Sequence, residues 1–321
     1  MELNKRTYLS AFTILGLAMC LYSGLQLVGA YVYVLASDWI SGLEAGDFRW
    51  LSGLFASPLT KVPVQYLFVL GIPSLLVYLS VCWLPASGGT RKKVPASAIA
   101  AALVMAMGFG YVFNFTGTII NFGISLATGK SALEMNPVTE MLSMLEPGMI
   151  LYVCLIGPFM EEVMFRGVFL RRARRFGDRT AIVYSAVLFG MMHGNLTQFL
   201  YATAIGLILG YLAVRSNGIR YCVLVHVLIN SYSIYLTLWS LFLENTGIAF
   251  FTALFSFGLL AAVVLFIVGA VWFFVSQGVF WWRELRARER TFGPGFRYVW
   301  ENPGFFLFAV ISLLEMVSYF L

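Results

Sequence analysis

Charged residues, histidines and paired cysteines are all scarce in this chain. Only 11% of its 321 residues are Asp, Glu, Lys or Arg, whereas soluble domains contain about 25%. There are two histidines, and the four cysteines are scattered through apolar stretches without a CxxC pair. The composition therefore excludes an ordinary soluble domain. The cysteines are expected to be small core residues that indicate no redox compartment.

Long apolar runs dominate the sequence instead. Hydrophobic residues make up 60% of the chain, and the mean hydropathy is +0.85. Runs of about 20 apolar residues can cross a bilayer as helices, so the pattern predicts an all-α, polytopic helical membrane protein with about eight to nine transmembrane helices. The first run is too long for a signal peptide and is expected to be an uncleaved anchor. The predicted spans are residues 8–36, 64–84, 97–126, 149–170, 180–195, 198–214, 220–243, 249–281 and 305–321.

The basic residues favour one side of this predicted arrangement. Of the 21 lysines and arginines, 17 fall in segments that share a side with the N-terminus. Because positively charged loops face the cytoplasm, the N-terminus is predicted to be cytoplasmic, in a membrane of the bacterial inner-membrane type. The net charge of +6 therefore comes from basic loops that indicate orientation in a lipid bilayer, and no nucleic-acid partner is predicted.

The most unusual stretch is residues 159–167, which place two adjacent carboxylates and an arginine inside an apolar run. Ionisable side chains at membrane depth are costly, and they indicate a functional site. Glu162 and Arg166 are four residues apart, so on a helix they share a face and can form an ion pair. Glu161 points about 100° away and remains the free carboxylate, which suits general acid–base chemistry. A purely structural ion cluster is the alternative.

Both histidines also fall in predicted spans. His193 lies four residues after Phe189, at the break between the fifth and sixth spans, and His226 lies four residues before Asn230. Counting helix rise from the basic loops places Glu161 and both histidines in one layer, in the middle to cytoplasmic half of the membrane. Short and broken helices at this depth are tolerated where they line an enclosed cavity, so the sequence predicts a membrane-embedded polar cavity.

The polar residues form three patterns in a fixed order along the chain. These patterns are Glu161-Glu162-x-x-x-Arg166, Phe189-x-x-x-His193 and His226-x-x-x-Asn230. Together they resemble the three-motif signature of the CPBP family, the CAAX protease and bacteriocin-processing (Abi) family. That family includes the type II CAAX prenyl endopeptidases of the Rce1 kind. Motifs of other intramembrane proteases, namely HExxH, GxGD and GxSG, do not occur in the chain.

The resemblance also implies a division of the chain. It covers about residues 149–235, which would form a CPBP-like catalytic core. Residues 1–148 would then be N-terminal transmembrane helices, and residues 236–321 would be C-terminal ones. The C-terminal part contains an arginine-rich segment with interleaved Trp and Phe at about 282–304, which we expect to lie on the inner membrane surface as an amphipathic segment.

An intramembrane endopeptidase that acts near the cytoplasmic membrane face is what the resemblance implies. Glu161 would activate a water molecule and His193 would position it, while His226 and Asn230 would stabilise the oxyanion or act as further polar ligands. The substrate would be a peptide or protein. A lipidated CAAX-type tail and a peptide or bacteriocin precursor both remain open.

The supporting residues and the cofactor follow from the same resemblance. Glu162 and Arg166 would hold the geometry of the site. No cofactor is certain, because the family is often called a metalloprotease and a metal-free glutamate mechanism has also been proposed for it. If a divalent metal such as zinc is present, its ligands would be Glu161, His193 and His226.

Two functions of other classes remain open. A membrane transporter or proton relay could use the buried Glu and His cluster, and Glu315 in the last span is a further acid that such a relay could use. A catalytically silent membrane scaffold is the other alternative. Liposome flux and peptide cleavage would distinguish these functions.

Overall fold

Every regular element of the computed structural model is a helix within the residues that it describes, which are 5–42, 49–131, 146–288 and 296–320. The predicted all-α class is confirmed. The helices are α1 (Lys5–Ser41), α2 (Arg49–Ala56), α3 (Lys61–Val81), α4 (Ala96–Thr128), α5 (Pro147–Phe176), α6 (Asp178–Met191), α7 (Leu196–Ser216), α8 (Arg220–Thr246), α9 (Ala249–Leu285) and α10 (Pro303–Ser318).

Seven helices in the described ranges are long and apolar enough to cross a membrane, namely α1, α3, α4, α5, α7, α8 and α9. The prediction of a polytopic helical membrane protein is therefore confirmed. All nine predicted runs are helical, but α6 and α10 have only 14 and 16 residues. At 1.5 Å per residue they are roughly 21 and 24 Å long, less than the hydrocarbon thickness of about 30 Å. Hydropathy detected their apolar character, whereas the turn after α6 and the Asn302 cap at the start of α10 limit their length.

The helices differ in how much of their surface the protein covers. In α7, 61% of the most apolar stretch is buried, whereas in α9 only 6% is buried. Helix α7 packs between α4 and α6, while α9 packs on the outer side of α4. Helix α1 packs against α3 and α10. Helix α7 is therefore an interior helix, whereas the rest of the protein leaves most of the apolar surface of α9 uncovered.

Close helix contacts depend on small residues. A Cβ atom on Gly16 of α1 would lie 2.3 Å from the backbone of Gly304 at the start of α10, so these two backbones touch. In the centre, a Cβ on Gly206 of α7 would lie 3.0 Å from Cα of Ala186 in α6. Small residues allow this approach between membrane helices, whose association relies on packing and polar contacts.

The predicted amphipathic segment at 282–304 is only partly described, because residues 289–295 lie outside the described ranges. Before the gap, Trp281 is buried and its ring stacks on Tyr211 of α7 with a centroid distance of 4.4 Å. After the gap, the ring of Trp300 makes an edge contact with Phe305 at 4.9 Å. Both flanks of the gap pack on the bundle. The position of the segment on the membrane surface stays a prediction.

Candidate active site

Helix α5 changes its hydrogen-bond register on both sides of the two glutamates. Residues Tyr152–Ile156 and Val163–Leu170 are π-helical, and they enclose a short α-helical part, Gly157–Glu162. π-Helical segments are rare and occur frequently at functional sites. Glu161 and Glu162 end the α-helical part, so they lie where the helix geometry changes.

Glu162 lies at the centre of a buried polar network. Its Oε1 atom accepts hydrogen bonds from Nη1 of Arg166 at 3.0 Å and from Nδ1 of His226 at 2.9 Å. The side chains of Glu162 and Arg166 are both 0% exposed. Nη2 of Arg166 also donates to the carbonyl of Gly206 at 3.3 Å, which links α5 to α7. The ion pair predicted from the spacing of four residues is therefore present, and a contact with α8 extends it.

The ring of Phe189 lies among the charged and imidazole groups. The guanidinium of Arg166 lies 4.6 Å from its centroid, a cation–π geometry. The rings of His193 and His226 meet it edge-on, with centroid distances of 5.1 and 5.8 Å. Phe189 therefore packs against residues of all three motifs, and this contact fixes their relative positions.

His226 faces a different glutamate with each ring nitrogen. Because a carboxylate only accepts hydrogen bonds, Nδ1 donates to Glu162. Nε2 then lies 3.7 Å from Oε2 of Glu161, which is longer than a hydrogen bond but within reach of an ion pair. The side chain of Glu161 is 16% exposed. Of the two adjacent carboxylates, one is enclosed and bound by donors, and the other is accessible.

The break between α6 and α7 fixes His193. Its Nδ1 donates to the carbonyl of Phe189 at 2.8 Å, and this hydrogen bond leaves Nε2 available in the neutral ring. Gly194 has φ +64°, in the left-handed region that favours glycine. Asn195 then caps α7, since its Oδ1 accepts from the N–H of Gln198 at 2.9 Å and its Nδ2 donates to the His193 carbonyl at 3.0 Å.

Helix α10 supports this break from outside the site. The hydroxyl of Ser312 donates to the Met191 carbonyl at 2.8 Å. A Cβ atom on Gly194 would lie 3.1 Å from Oε2 of Glu315. Glu315, the further acid noted in the last predicted span, therefore contacts the turn and does not line the active-site cavity described below.

Asn230 fills a gap in the hydrogen bonding of α5. The N–H of Gly157 bonds to the carbonyl of Tyr152, five residues back. Pro158 has no N–H to offer to the next carbonyl, that of Val153. The side chain of Asn230 supplies the missing donor, with Nδ2 at 3.0 Å from the Val153 oxygen. The contact fixes the amide, which keeps a second N–H for another acceptor.

The four side chains predicted to be catalytic line one cavity of about 600 Å³: Glu161, His193, His226 and Asn230. A cavity of this volume is typical of ligand sites. Glu162 and Arg166 do not line it but lie behind its wall, where they hold His226. The predicted polar cavity is therefore present, and the structure brings the three motifs together at it.

Several polar cavity residues lie outside the three patterns. Their side chains come from helices throughout the chain: Gln26, Tyr66, Asn114, Tyr152, Gln198 and Tyr201. The rings of Tyr66 and Tyr152 stack with a centroid distance of 3.6 Å and join α3 to α5. Single polar residues on separate apolar helices share no spacing, so most of them could not be predicted from the sequence. Only Gln198, in the first turn after the capping asparagine, had a local signal.

The donor set does not fit a metal site bound by three side chains. Within the described ranges, no three His, Cys, Asp or Glu side chains converge closely enough to hold a metal ion. This includes Glu161, His193 and His226, the ligands named for zinc.

Comparison with known proteins agrees with the motifs. Residues 143–232 match the family model "Type II CAAX prenyl endopeptidase Rce1-like". The chain is also 29% identical over 96 residues to a protein of Bacillus subtilis (strain 168) named "Putative membrane peptidase YdiL". That match covers 29% of this chain and 38% of the length of the relative. No solved structure gives a significant match. All three motifs lie within residues 143–232, the part of this integral membrane protein that is similar to the Rce1-like family model.

Proposed function

We propose that this protein is an intramembrane endopeptidase that hydrolyses a peptide bond near the cytoplasmic face of its membrane. The observation that carries the proposal is the different surroundings of the two adjacent carboxylates. Glu162 is enclosed by Arg166 and His226, whereas Glu161 faces the cavity beside the other nitrogen of the same imidazole. One carboxylate is thus available for proton transfer, and the other positions the groups around it.

The proposed reaction begins with a water molecule between Glu161 and His193. Nε2 of His193 accepts one hydrogen bond from this water and orients it, and Glu161 removes the other proton as the water oxygen attacks the peptide carbonyl carbon. A tetrahedral intermediate with a negatively charged oxygen results. Glu161 then gives its proton to the nitrogen of the leaving amine as the C–N bond breaks, which returns Glu161 to its carboxylate form.

Two donors are proposed to stabilise the negative oxygen. Asn230 offers its second amide N–H, because the first is bound to the Val153 carbonyl. His226 acts as the imidazolium, with Nδ1–H on Glu162 and Nε2–H directed towards the oxyanion. Donors that are already fixed by other hydrogen bonds cost little reorganisation during the reaction, which is the basis of oxyanion stabilisation.

The reaction is proposed to proceed without a resident metal. Glu161 serves as the base, and Asn230 with His226 supplies the stabilisation that a Lewis acid would otherwise give. This proposal is supported by the lack of a three-ligand group in the described ranges. Cleavage measured with and without a metal chelator tests it.

The proposed substrate is a peptide or protein that reaches the cavity from the membrane. The cavity walls combine aromatic side chains with amides, which suits an extended peptide with apolar side chains. A CAAX-type prenylated tail and an unmodified peptide precursor are distinguished by a matched pair of peptides, prenylated and unprenylated, given to the purified protein. Cleavage of the prenylated peptide alone identifies a CAAX-type activity, and cleavage of both identifies general peptide processing.

The transporter alternative has less support from the same geometry. Glu161 lines one wall of the cavity, Glu162 lies directly behind that wall, and Glu315 lies outside the lining. A proton relay needs ionisable groups in succession along a path, as in the chains of acidic groups found in pumps. The proposed location is a bacterial-type inner membrane with the N-terminus in the cytoplasm, which is supported by the 17 of 21 basic residues on one predicted side.

A further inference from the structure

A second cavity, of about 790 Å³, lies between α4, α6, α7 and α9. It shares no lining residue with the candidate active site. Along α4, Ala106 and Gly110 face the active-site cavity, whereas Met105 and Phe109 face the second cavity. The two cavities therefore lie on different faces of the same helices, and a molecule in the second cavity does not reach Glu161.

The walls of the second cavity are apolar over most of their length. They are formed mainly by Met, Phe, Ile, Val and Leu side chains from all four helices. Helix α9 forms the outer wall, and its most apolar stretch is only 6% buried by the rest of the protein, so we expect the outer face of α9 to contact lipid. An apolar cavity that adjoins the bilayer suits a hydrocarbon chain.

One end of the second cavity carries positive charge. Arg179 at the start of α6 and Arg283 near the end of α9 both line it. The guanidinium of Arg179 lies 4.4 Å from the ring of Trp282 and donates to the Trp282 carbonyl, so its position is fixed. No Asp or Glu is among the described lining residues.

Aromatic rings connect the basic end to the rest of the bundle. Trp281 stacks on Tyr211, and Arg215 donates to the Tyr211 hydroxyl at 3.0 Å. Trp and Tyr side chains prefer the headgroup region of a bilayer. Arg179, Arg215 and Arg283 all belong to segments on the predicted cytoplasmic side, the side on which basic pockets between helices bind anionic headgroups.

We propose that this cavity binds one anionic phospholipid. Its phosphate lies at the exposed Arg283, and an acyl chain lies between α4 and α9. Charge complementarity favours this occupant over an isolated prenyl chain, which has no anionic group for the exposed Arg283. The bound lipid would cover part of α9, whose most apolar stretch is only 6% buried by the rest of the protein. The proposal does not depend on the peptidase activity, because it concerns another cavity and binding is measured without cleavage.

The test measures lipid binding to the purified full-length protein in detergent by native mass spectrometry. Phosphatidylglycerol and phosphatidylcholine with identical acyl chains are compared. Two variants probe the cavity, Arg283→Gln at its basic end and Ala204→Phe in its apolar wall. Arg91→Gln is the control, because it removes one positive charge from an exposed residue of another loop on the same predicted side.

We expect wild-type protein to bind phosphatidylglycerol in preference to phosphatidylcholine. Arg283→Gln should weaken phosphatidylglycerol binding about fivefold, the contribution of one arginine at an anionic surface. Ala204→Phe should reduce binding of both lipids, and Arg91→Gln should bind as wild type. Equal binding of the two lipids by wild type, or equal behaviour of Arg283→Gln and Arg91→Gln, would overturn the proposal. So would displacement of phosphatidylglycerol by a neutral prenylated peptide at equal concentration.

Discussion

Nδ1 of His226 lies 2.9 Å from Oε1 of Glu162, the same oxygen that binds Arg166 at 3.0 Å. One buried carboxylate oxygen thus orients an imidazole and neutralises a guanidinium. The arrangement directs the other imidazole nitrogen towards Glu161 and the cavity. It gives the two glutamates of the motif separate physical tasks, although they are neighbours in sequence.

Glu162→Gln should destabilise the protein, because it leaves the buried guanidinium of Arg166 without a compensating charge. Breaking a buried pair from one side costs about 3–5 kcal/mol. Arg166→Met should destabilise the protein by a similar amount, because it leaves the buried carboxylate of Glu162 without its guanidinium partner. The double variant should be less destabilised than the sum of the single variants, since neither charge then remains unpaired.

Thermal unfolding of the three variants in detergent checks this prediction. The prediction would be contradicted if either single variant melted at the wild-type temperature. It would also be contradicted if the loss of stability in the double variant equalled the sum of the two single losses. Either result would show that the pair does not hold the site together. A fourth variant, Lys61→Met, serves as a control. It removes one partner of the ion pair with Glu146, whose side chains are 39% and 36% exposed. Its effect should be no more than about 1 kcal/mol.

Asn230→Ala should affect both stability and cleavage, because one amide group serves the Val153 carbonyl and the proposed oxyanion. An unsatisfied buried carbonyl costs about 1–3 kcal/mol, and loss of an oxyanion donor costs about 10²–10³ in kcat. The two roles can be separated by Pro158→Ala, which restores an N–H to α5 five residues after Val153. In the double variant, melting should recover and cleavage should not.

If cleavage recovers together with melting in that double variant, Asn230 is only a structural residue and the proposed oxyanion role is wrong. Pro158→Ala alone is the matched control. It should keep both melting and cleavage close to those of the wild type, because Asn230 is still present.

Removal of metal ions should leave cleavage unchanged. The proposed base and oxyanion donors are all side chains, and no group of three ligands converges in the described part of the chain. The measurement is the cleavage rate before and after treatment with EDTA or 1,10-phenanthroline, followed by dialysis. Loss of activity that returns on addition of zinc would contradict the metal-free mechanism, while the assignment of Glu161 to proton transfer would remain open to a separate test.

Two loops on opposite predicted sides of the membrane should differ in their accessibility to a labelling reagent, and this difference reveals the orientation of the protein. Thr90 precedes the basic residues of the loop between α3 and α4, and Thr128 ends α4 on the other predicted side. In a variant without native cysteines, a membrane-impermeant maleimide added to intact cells should label Thr128→Cys. Thr90→Cys should react only after permeabilisation. The reverse pattern would place the N-terminus outside the cytoplasm.

Local spacing was sufficient to predict some of the site. The Glu162–Arg166 pair depends on two residues one helical turn apart, so it could be predicted from the sequence and is confirmed. The membrane class followed from apolar run length and is confirmed as well. Apolar runs did not distinguish α6 and α10 from full spans, because hydropathy does not record where a helix is capped.

Contacts between distant segments could not be derived from spacing. The bond from His226 to Glu162 joins residues that are 64 positions apart, and it depends on how α8 packs on α5. The bond from Asn230 to Val153 had a partial signal in Pro158, which leaves a helix carbonyl without its donor. The π-helical register of α5 had no such signal, since it follows from the packing of the surrounding helices.

Glu161 is the residue proposed to transfer the proton in peptide hydrolysis. The most direct test of this role is the cleavage rate of a membrane peptide by wild type, Glu161→Gln and Glu315→Gln, each reconstituted in liposomes. Glu315→Gln is the matched control, because it replaces another carboxylate of an apolar helix that does not line the active-site cavity. Glu161→Gln should lower the rate by about 10²–10⁴ with unchanged melting, and Glu315→Gln should cleave at close to the wild-type rate. Cleavage by Glu161→Gln at the wild-type rate would contradict the account.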